Sequence, residues 1–486
     1  MSLHQDFNTS SSVKYSFNVG CLLDIPTGHY LKGAHGESIL NGGLGFLTGV
    51  VGVGNSFKST ILHYLALSAL NKILYSTESS LGTYDTEINI NEQRLRSLAD
   101  SFEFLKDKNI IDSGVWSITD KTIYYANEWY TKLKEFLTKK QKEATSNMVE
   151  TPFLGRDGVT KMKMLAPTFS EIDSFSEFET ADIADIQNDN ELGSAGGNMM
   201  HARLGLAKTR FLMELPTLAG RNSHYILLTA HLGQEMNMAA SPYSAPPPKK
   251  LGYLPQGIKI KGVSDKFFFL MTNVWHAYKS TPLINQKTKE PEYPSELDAS
   301  KSDAQDLHLV SLRQLRSKNG PSGIVIDIIV SQREGVLPSL SEFHYLKTCE
   351  RFGLSGTLIH YHLDLLPDVA LTRTTVREKI KELPELRRAL NITAELCQMT
   401  YLWPKLDDDL ICTPKELYDD LKAMGYDWNV LLNTRGWWTF NNDKQDIPFL
   451  STMDLLRIRK GLYSVFWMDK DKNVKSINST KKELKK

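Results

Sequence analysis

Residues 52–59 read Gly-Val-Gly-Asn-Ser-Phe-Lys-Ser, the most chemically specific spacing in the chain. The pattern G-x-x-x-x-F-K-S is that of a phosphate-binding loop, with Phe57 standing where a second glycine is usual. In such a loop the backbone N–H groups around Gly54 to Lys58 cradle phosphates. The Lys58 ammonium reaches the terminal phosphates of a nucleoside triphosphate, and the Ser59 hydroxyl ligates Mg²⁺. A helix starting at Lys58 adds the positive end of its dipole. Gly52, Gly54, Asn55, Ser56, Phe57, Lys58, Ser59 and Thr60 are the candidate nucleotide-binding residues.

A loop of this kind needs a buried strand before it and a helix after it. Residues 44–51 are uncharged and largely apolar, as a strand buried on both faces requires, and residues 60–70 suit a buried helix. A short second strand is expected at 73–76. Further strands are expected at 225–230, 267–275, 307–312 and 324–330, and helices at 122–140 and 198–218. Strands alternating with helices predict an α/β fold with a mostly parallel sheet. Residues 143–166 and 278–306 read as insertions outside the core. Residues 233–262 carry Pro246, Pro247, Pro248 and Pro255, so neither a helix nor a central strand can cross them, and a long mobile loop is expected. After about residue 335 the chain turns to helices with aromatic clusters. The expected organisation is a lead segment at 1–40, a core at 41–335 and a smaller C-terminal domain at 336–486.

The 486 residues hold 57 basic and 57 acidic side chains. With no net charge, any nucleic-acid affinity must come from local patches. The four cysteines lack Cys-x-x-Cys spacing, so neither a disulfide framework nor a zinc site is indicated. The first residues lack a basic-then-apolar signal, and no apolar stretch is long enough to span a membrane. A soluble, cytoplasmic protein without membrane partners is expected.

Several segments in order resemble RecA-family recombinases, over roughly residues 21–335. Leu22 to Gly28, Asn41 to Gly45 and the loop ending Ser56-Phe57-Lys58-Ser59 resemble the approach to that family's ATP site. The Ser-Phe-Lys-Ser version is closest to the UvsX-type recombinases of large tailed phages. Residues 74–78 resemble the second core strand with its catalytic glutamate, Glu78. Glu171-Ile172-Asp173-Ser174 resembles the Walker B end, Thr229-Ala230-His231 the γ-phosphate sensor strand, and residues 198–218 the helix after the first DNA-binding loop. The resemblance implies a RecA-like P-loop ATPase core using ATP and Mg²⁺.

Each implied role also has a chemical reason. A carboxylate at a strand's carboxyl end beside the ATP loop polarises the attacking water, and Glu78 is expected there. Asp173 would hold Mg²⁺ with Ser59. His231, before the mobile loop, would transmit the γ-phosphate state to bound DNA, and Tyr84 would stack on adenine. Arg316 and Lys318 match a cationic pair that such filaments extend to the ATP of the next subunit, with Arg313 as a competing alignment.

DNA contact is implied at two loops. The first spans 193–197, with Gly196 and Gly197, and has Arg203 nearby. The second, 233–262, carries Lys249, Lys250, Lys259 and Lys261 against one acid, Glu235, with Tyr243 and Tyr253 interleaved. Cations track phosphates, and aromatic faces stack on bases. The tail, residues 469–486, has seven lysines against three acids, unlike the acidic tails common in the family.

The function implied is a DNA-dependent ATPase, a homologous recombinase that forms ATP-bound filaments on single-stranded DNA and exchanges strands with a duplex. Single- and double-stranded DNA, further copies of the chain, and single-strand-binding and mediator proteins are the implied partners. The location is then the cytoplasm, a host's if the protein is viral. A RecA-fold helicase or helicase loader and a non-catalytic accessory or structural protein are the alternatives.

Overall fold

A computed structural model describes residues 14–475, apart from 107, 156, 185–196, 235–248, 296–305, 403–405 and 407–408. Among the described residues the dominant feature is a ten-stranded sheet. Its strands, numbered along the chain, are β1 (Leu47–Gly52), β2 (Leu81–Asp85), β3 (Trp116–Asp120), β4 (Thr168–Asp173), β5 (His224–Gln234), β6 (Ile258–Ile260), β7 (Asn273–Pro282), β8 (Leu307–Ser317), β9 (Val325–Ser331) and β10 (Gly335–Val336). The order across the sheet is β10-β9-β8-β7-β1-β5-β4-β2-β3, with β6 paired to the far end of β5. From β7 to β3 every neighbouring pair is parallel, whereas β8, β9 and β10 continue the sheet antiparallel.

Three long helices cover its two faces, α1 (Lys58–Leu74), α2 (Ala126–Lys142) and α3 (Gly197–Asn222), while a fourth, α4 (Pro384–Leu402), packs on the helix Pro338–Thr348 that lies against β9. Strand side chains alternate between faces, so successive residues enter different cores. Val50 joins one apolar cluster with α1 and α4, while Leu47 and Val51 join a second with α2 and α3. A parallel sheet covered on both faces explains why β1 is buried at all six positions without a charged residue.

The N-terminal segment is part of the first core. Tyr15, Phe17 and Leu22 belong to the cluster that also holds Leu390 and Trp438 from beyond residue 336. Trp438 Nε1 donates to the Ser16 carbonyl at 3.1 Å and Gln398 Nε2 to the Leu22 carbonyl at 2.9 Å.

Several expected elements move. The strand expected at 73–76 is the end of α1, and the second strand is Leu81–Asp85. Ile61, Leu65, Ala69 and Ile73, four residues apart and all nearly inaccessible, form one helical stripe that runs through to position 73. The strand expected at 267–275 begins only at Asn273. Before it lies a five-residue helix, Lys266–Leu270, in which Phe267 and Phe268 are buried and Phe269 is exposed, with Met271 buried just after it, a helical spacing. The expected insertion at 143–166 holds an antiparallel hairpin, Met148–Leu154 with Lys161–Leu165. The one at 278–306 begins inside β7, which runs to Pro282. The loop expected at 233–262 enters and leaves through the β5–β6 ladder, in which Gln234 pairs with Ile258 and Gly233 with Lys259.

Candidate nucleotide site

At the carboxyl ends of β1, β2, β4 and β5 lies an open cleft of about 700 Å³, the place where parallel α/β sheets bind ligands. Gly54, Asn55, Ser56, Phe57, Lys58, Ser59 and Thr60 form one wall, while Glu87, Asn89, Asp173 and His231 form another. Gly52 ends β1 beneath the loop. A Cβ there would lie 2.5 Å from Ser56 Oγ and 2.9 Å from the Ala277 carbonyl, so only glycine allows the loop to close on itself. Ser56 Oγ braces the loop by donating to the Val53 carbonyl at 2.8 Å.

Phe57 shows why glycine is usual at its position. Its φ of 61° and ψ of 22° are left-handed, a conformation that costs a residue with a Cβ about 1–2 kcal/mol. The turn that opens α1 is therefore kept despite the phenylalanine, whose ring packs 5.0 Å from that of His308. Lys58 is 7% exposed, and its ammonium donates to the Val53 carbonyl at 2.7 Å. Burial lowers its pKa, while Asp173 and Glu87 oppose the shift.

Asp173 ends β4 and is buried, its carboxylate accepting a hydrogen bond from Thr229 Oγ1 on β5. The polar residues just before it also find partners. Glu171 is fully buried, with Oε2 lying 3.0 Å from His63 Nδ1 on α1 and accepting from Thr83 Oγ1 on β2 at 2.6 Å. Trp116 Nε1 on β3 donates in turn to Thr83 Oγ1. Desolvation works against a charged His63 ring, but the Glu171 carboxylate outweighs it and the pKa of His63 is raised. This pair joins α1 to the strand that carries Asp173.

The second carboxylate in the cleft is Glu87, two residues beyond β2. Its place is set by Asp85, whose Oδ1 accepts the N–H groups of Glu87 and Ile88, both at 2.9 Å, and whose Oδ2 accepts those of Asn89 and Ile90, both at 2.8 Å. Glu87 Oε1 lies 2.8 Å from His231 Nε2. Burial favours a protonated Glu87, but the His231 hydrogen bond and charge prevail and hold its pKa below the usual carboxylate value. His231 is level with Gly52 in the β1–β5 pairing, which brings its ring to the cleft.

The structure thus brings Lys58, Ser59, Asp173 and His231 together and leaves other expected residues apart. Glu78 is exposed and precedes β2, at the strand end away from the cleft, because α1 runs further than expected. Tyr84 is fully buried within β2, stacked on Trp129 at 5.0 Å and donating its hydroxyl to the Tyr124 carbonyl at 2.8 Å, so its ring faces the core and not an adenine. Arg316 pairs with Val274, which is level with Gly49, and the Lys318 N–H bonds the Thr272 carbonyl beside Leu47. Both lie toward the amino end of β1, away from the loop at 53–57 of their own chain. Arg313, the competing position, stacks over the Tyr278 ring at 4.6 Å.

Of the residues expected at DNA, Gly196 and Tyr243 lie outside the described residues. Gly197 opens α3 and Arg203 is exposed on it. Lys249, Lys261 and Tyr253 are exposed and Lys259 is half-buried on β6, whereas Lys250 is paired with Asp265 at 3.2 Å. The residues missed from sequence are Asp85, Glu87, Asn89, Ser280, His308 and Gln332. The run Asp85-Thr86-Glu87-Ile88-Asn89 was the available signal for the first three, and a strand placed eight residues too early hid it.

Among the described residues no cluster of three or more His, Cys, Asp or Glu forms a metal site by itself, and no helix is long and apolar enough to cross a membrane. Compared with models of known protein families and with curated proteins, the chain matches none.

Proposed function

We propose that the chain hydrolyses ATP in the cleft at Lys58. The observation that carries this reading is the convergence of a phosphate-type loop, two carboxylates and a histidine at the carboxyl ends of adjacent parallel strands. Loop N–H groups and the Lys58 ammonium bind the phosphates. Glu87, ionised and held by Asp85, orients a water for attack on the γ-phosphorus. The bond from that phosphorus to the β–γ bridging oxygen breaks, and ADP and phosphate leave. The Ser59 hydroxyl and Asp173 carboxylate are the hard oxygen donors that suit Mg²⁺, which neutralises phosphate charge when bound. His231 reports the γ-phosphate state through its bond to Glu87.

The finer reading is a RecA-like recombinase. The order of the motifs other than the one at 74–78 supports it, as do the cationic β5–β6 region and the placement of Arg316 and Lys318, which reach an ATP only if a second copy supplies it. In this reading the ATP-bound chain polymerises on single-stranded DNA and pairs it with a duplex. ATPase assays with and without single-stranded DNA test the first part, and negative-stain imaging with DNA and a non-hydrolysable ATP analogue tests the second. DNA-stimulated turnover and helical filaments are expected. Closed rings would overturn the recombinase reading, and absence of nucleotide binding would overturn the ATPase reading.

A further inference from the structure

Lys208, in the middle of α3, is 1% exposed. A fully buried lysine is uncommon, and the usual reason for one is a carboxylate partner. Here, among the described residues, the acceptor is a neutral group: Lys208 Nζ donates to the Ser176 carbonyl at 2.5 Å, in the turn Phe175–Glu177 that follows β4 and Asp173. Glu177 and Glu179 act on the ammonium through space, but burial dominates and lowers its pKa to about 8. A methionine would fill the same volume without a buried charge, so packing does not account for a lysine here.

Its surroundings suggest what does. A Cβ at Gly262, just past β6, would lie 3.6 Å from both the Lys208 ammonium and the Ser176 carbonyl oxygen. Ser176 is held from its other side, because its Oγ accepts the His231 N–H at 2.8 Å. The His231 carbonyl accepts the Lys261 N–H at 2.9 Å, and the His231 ring bonds Glu87 in the cleft. His231 therefore links the nucleotide cleft to β6 through its carbonyl, and to α3 through Ser176 and Lys208.

We propose that Lys208 is a positioning residue that couples the nucleotide cleft to α3 and β6, the elements that carry Arg203 and Lys259. The proposal rests on the DNA-dependent ATPase reading above. The turn Phe175–Glu177 is the shared element, tied to the cleft by His231 and to α3 by Lys208, and coupling requires an element that both sites can bias. Binding linkage is reciprocal, so DNA must change nucleotide affinity by the same factor as nucleotide changes DNA affinity.

The test uses the full chain and the variants K208M and S176A, the second removing the hydroxyl while keeping the carbonyl that Lys208 bonds. Affinity for a labelled oligo-dT strand is measured with a non-hydrolysable ATP analogue and with ADP, and affinity for the labelled analogue is measured with and without DNA. In the wild type, DNA should bind more tightly with the analogue than with ADP. In K208M that ratio should fall to within twofold of one, with nucleotide affinity in the absence of DNA unchanged, and S176A should show an intermediate ratio at wild-type melting temperature. If K208M does not fold, S176A alone decides. A wild-type ratio in the variants overturns the role of Lys208 and leaves the ATPase reading standing. A wild type whose DNA affinity ignores nucleotide overturns the DNA-dependent reading and the coupling with it.

Discussion

Glu87→Gln and Glu78→Gln, compared side by side, test the assignment of the cleft most directly. A group that orients or deprotonates the attacking water must lie within hydrogen-bond reach of it, directly or through one further water. Glu78 cannot. It precedes β2, and the four steps from Leu81 to Asp85 alone span about 13 Å at roughly 3.3 Å per residue. Glu87 lies in the cleft with Asp173 and Lys58, and its lowered pKa keeps it ionised at neutral pH. General-base catalysis contributes about 10²–10⁴ in rate, equivalent to about 2.7–5.5 kcal/mol of barrier. Glutamine keeps the shape and the hydrogen bond to His231 but loses the charge. Single-turnover hydrolysis in Glu87→Gln should therefore fall by about 100-fold or more at unchanged nucleotide affinity, while Glu78→Gln stays within twofold of wild type. Because the pKa of Glu87 is lowered, wild-type turnover should decline only when pH falls below the usual carboxylate range. Turnover lost in Glu78→Gln and retained in Glu87→Gln would refute the assignment.

Asp85→Asn should act through the same loop: an amide presents N–H groups to two of the four backbone donors, removing charge-assisted bonds worth about 1.5–3 kcal/mol each. Single-turnover rates should drop about 100-fold from misplacement of Glu87, with faster hydrogen exchange at residues 86–90, and an unchanged rate would show that Asp85 does not position it. The buried His63–Glu171 pair predicts a pH-dependent stability. A raised His63 pKa stabilises the fold fully below the ordinary histidine value of about 6.5 and loses that contribution as pH rises through the folded value. Glu171→Gln should cost about 3–5 kcal/mol, with the loss of melting temperature largest at acidic pH; a pH-independent loss would show that the pair is uncharged. Replacing Lys249, Lys259 and Lys261 with alanine should flatten the log–log salt dependence of single-stranded DNA affinity by about 0.7 for each phosphate that a lysine no longer neutralises, and an unchanged slope would remove this surface from the DNA site.

The glycine-bearing turn at 52–59, its strand and its helix were legible in the sequence because their determinants are local. An uncharged run, two glycines and a Lys-Ser pair act within sixteen residues, and the folded chain holds them as a strand, a turn and a helix. The positions of Asp173 and His231 were legible for the same reason, since Asp173 ends β4 and His231 directly follows the apolar run 225–230 within β5. The second carboxylate was not. A short apolar run at 73–76 suits either a strand or the last turn of a helix, and what decides is whether Ile73 continues a stripe buried against the sheet. That burial is a tertiary fact, and it moved the strand from 73–76 to Leu81–Asp85 and the cleft carboxylate from Glu78 to Glu87. Polar residues in buried strands were opaque in the same way. Ser170 and Glu171 interrupt the run before Asp173, and only the approach of His63 from α1 and Thr83 from β2 gives Glu171 its partners. The buried Lys208 is the limiting case: in sequence it is one lysine on an amphipathic helix, and its carbonyl partner 32 residues earlier is fixed by how that helix packs against the turn after β4. Sequence determined which groups can do chemistry, because that follows from residue type. Tertiary packing decided which of them meet, because burial and partner choice depend on residues far apart in the chain.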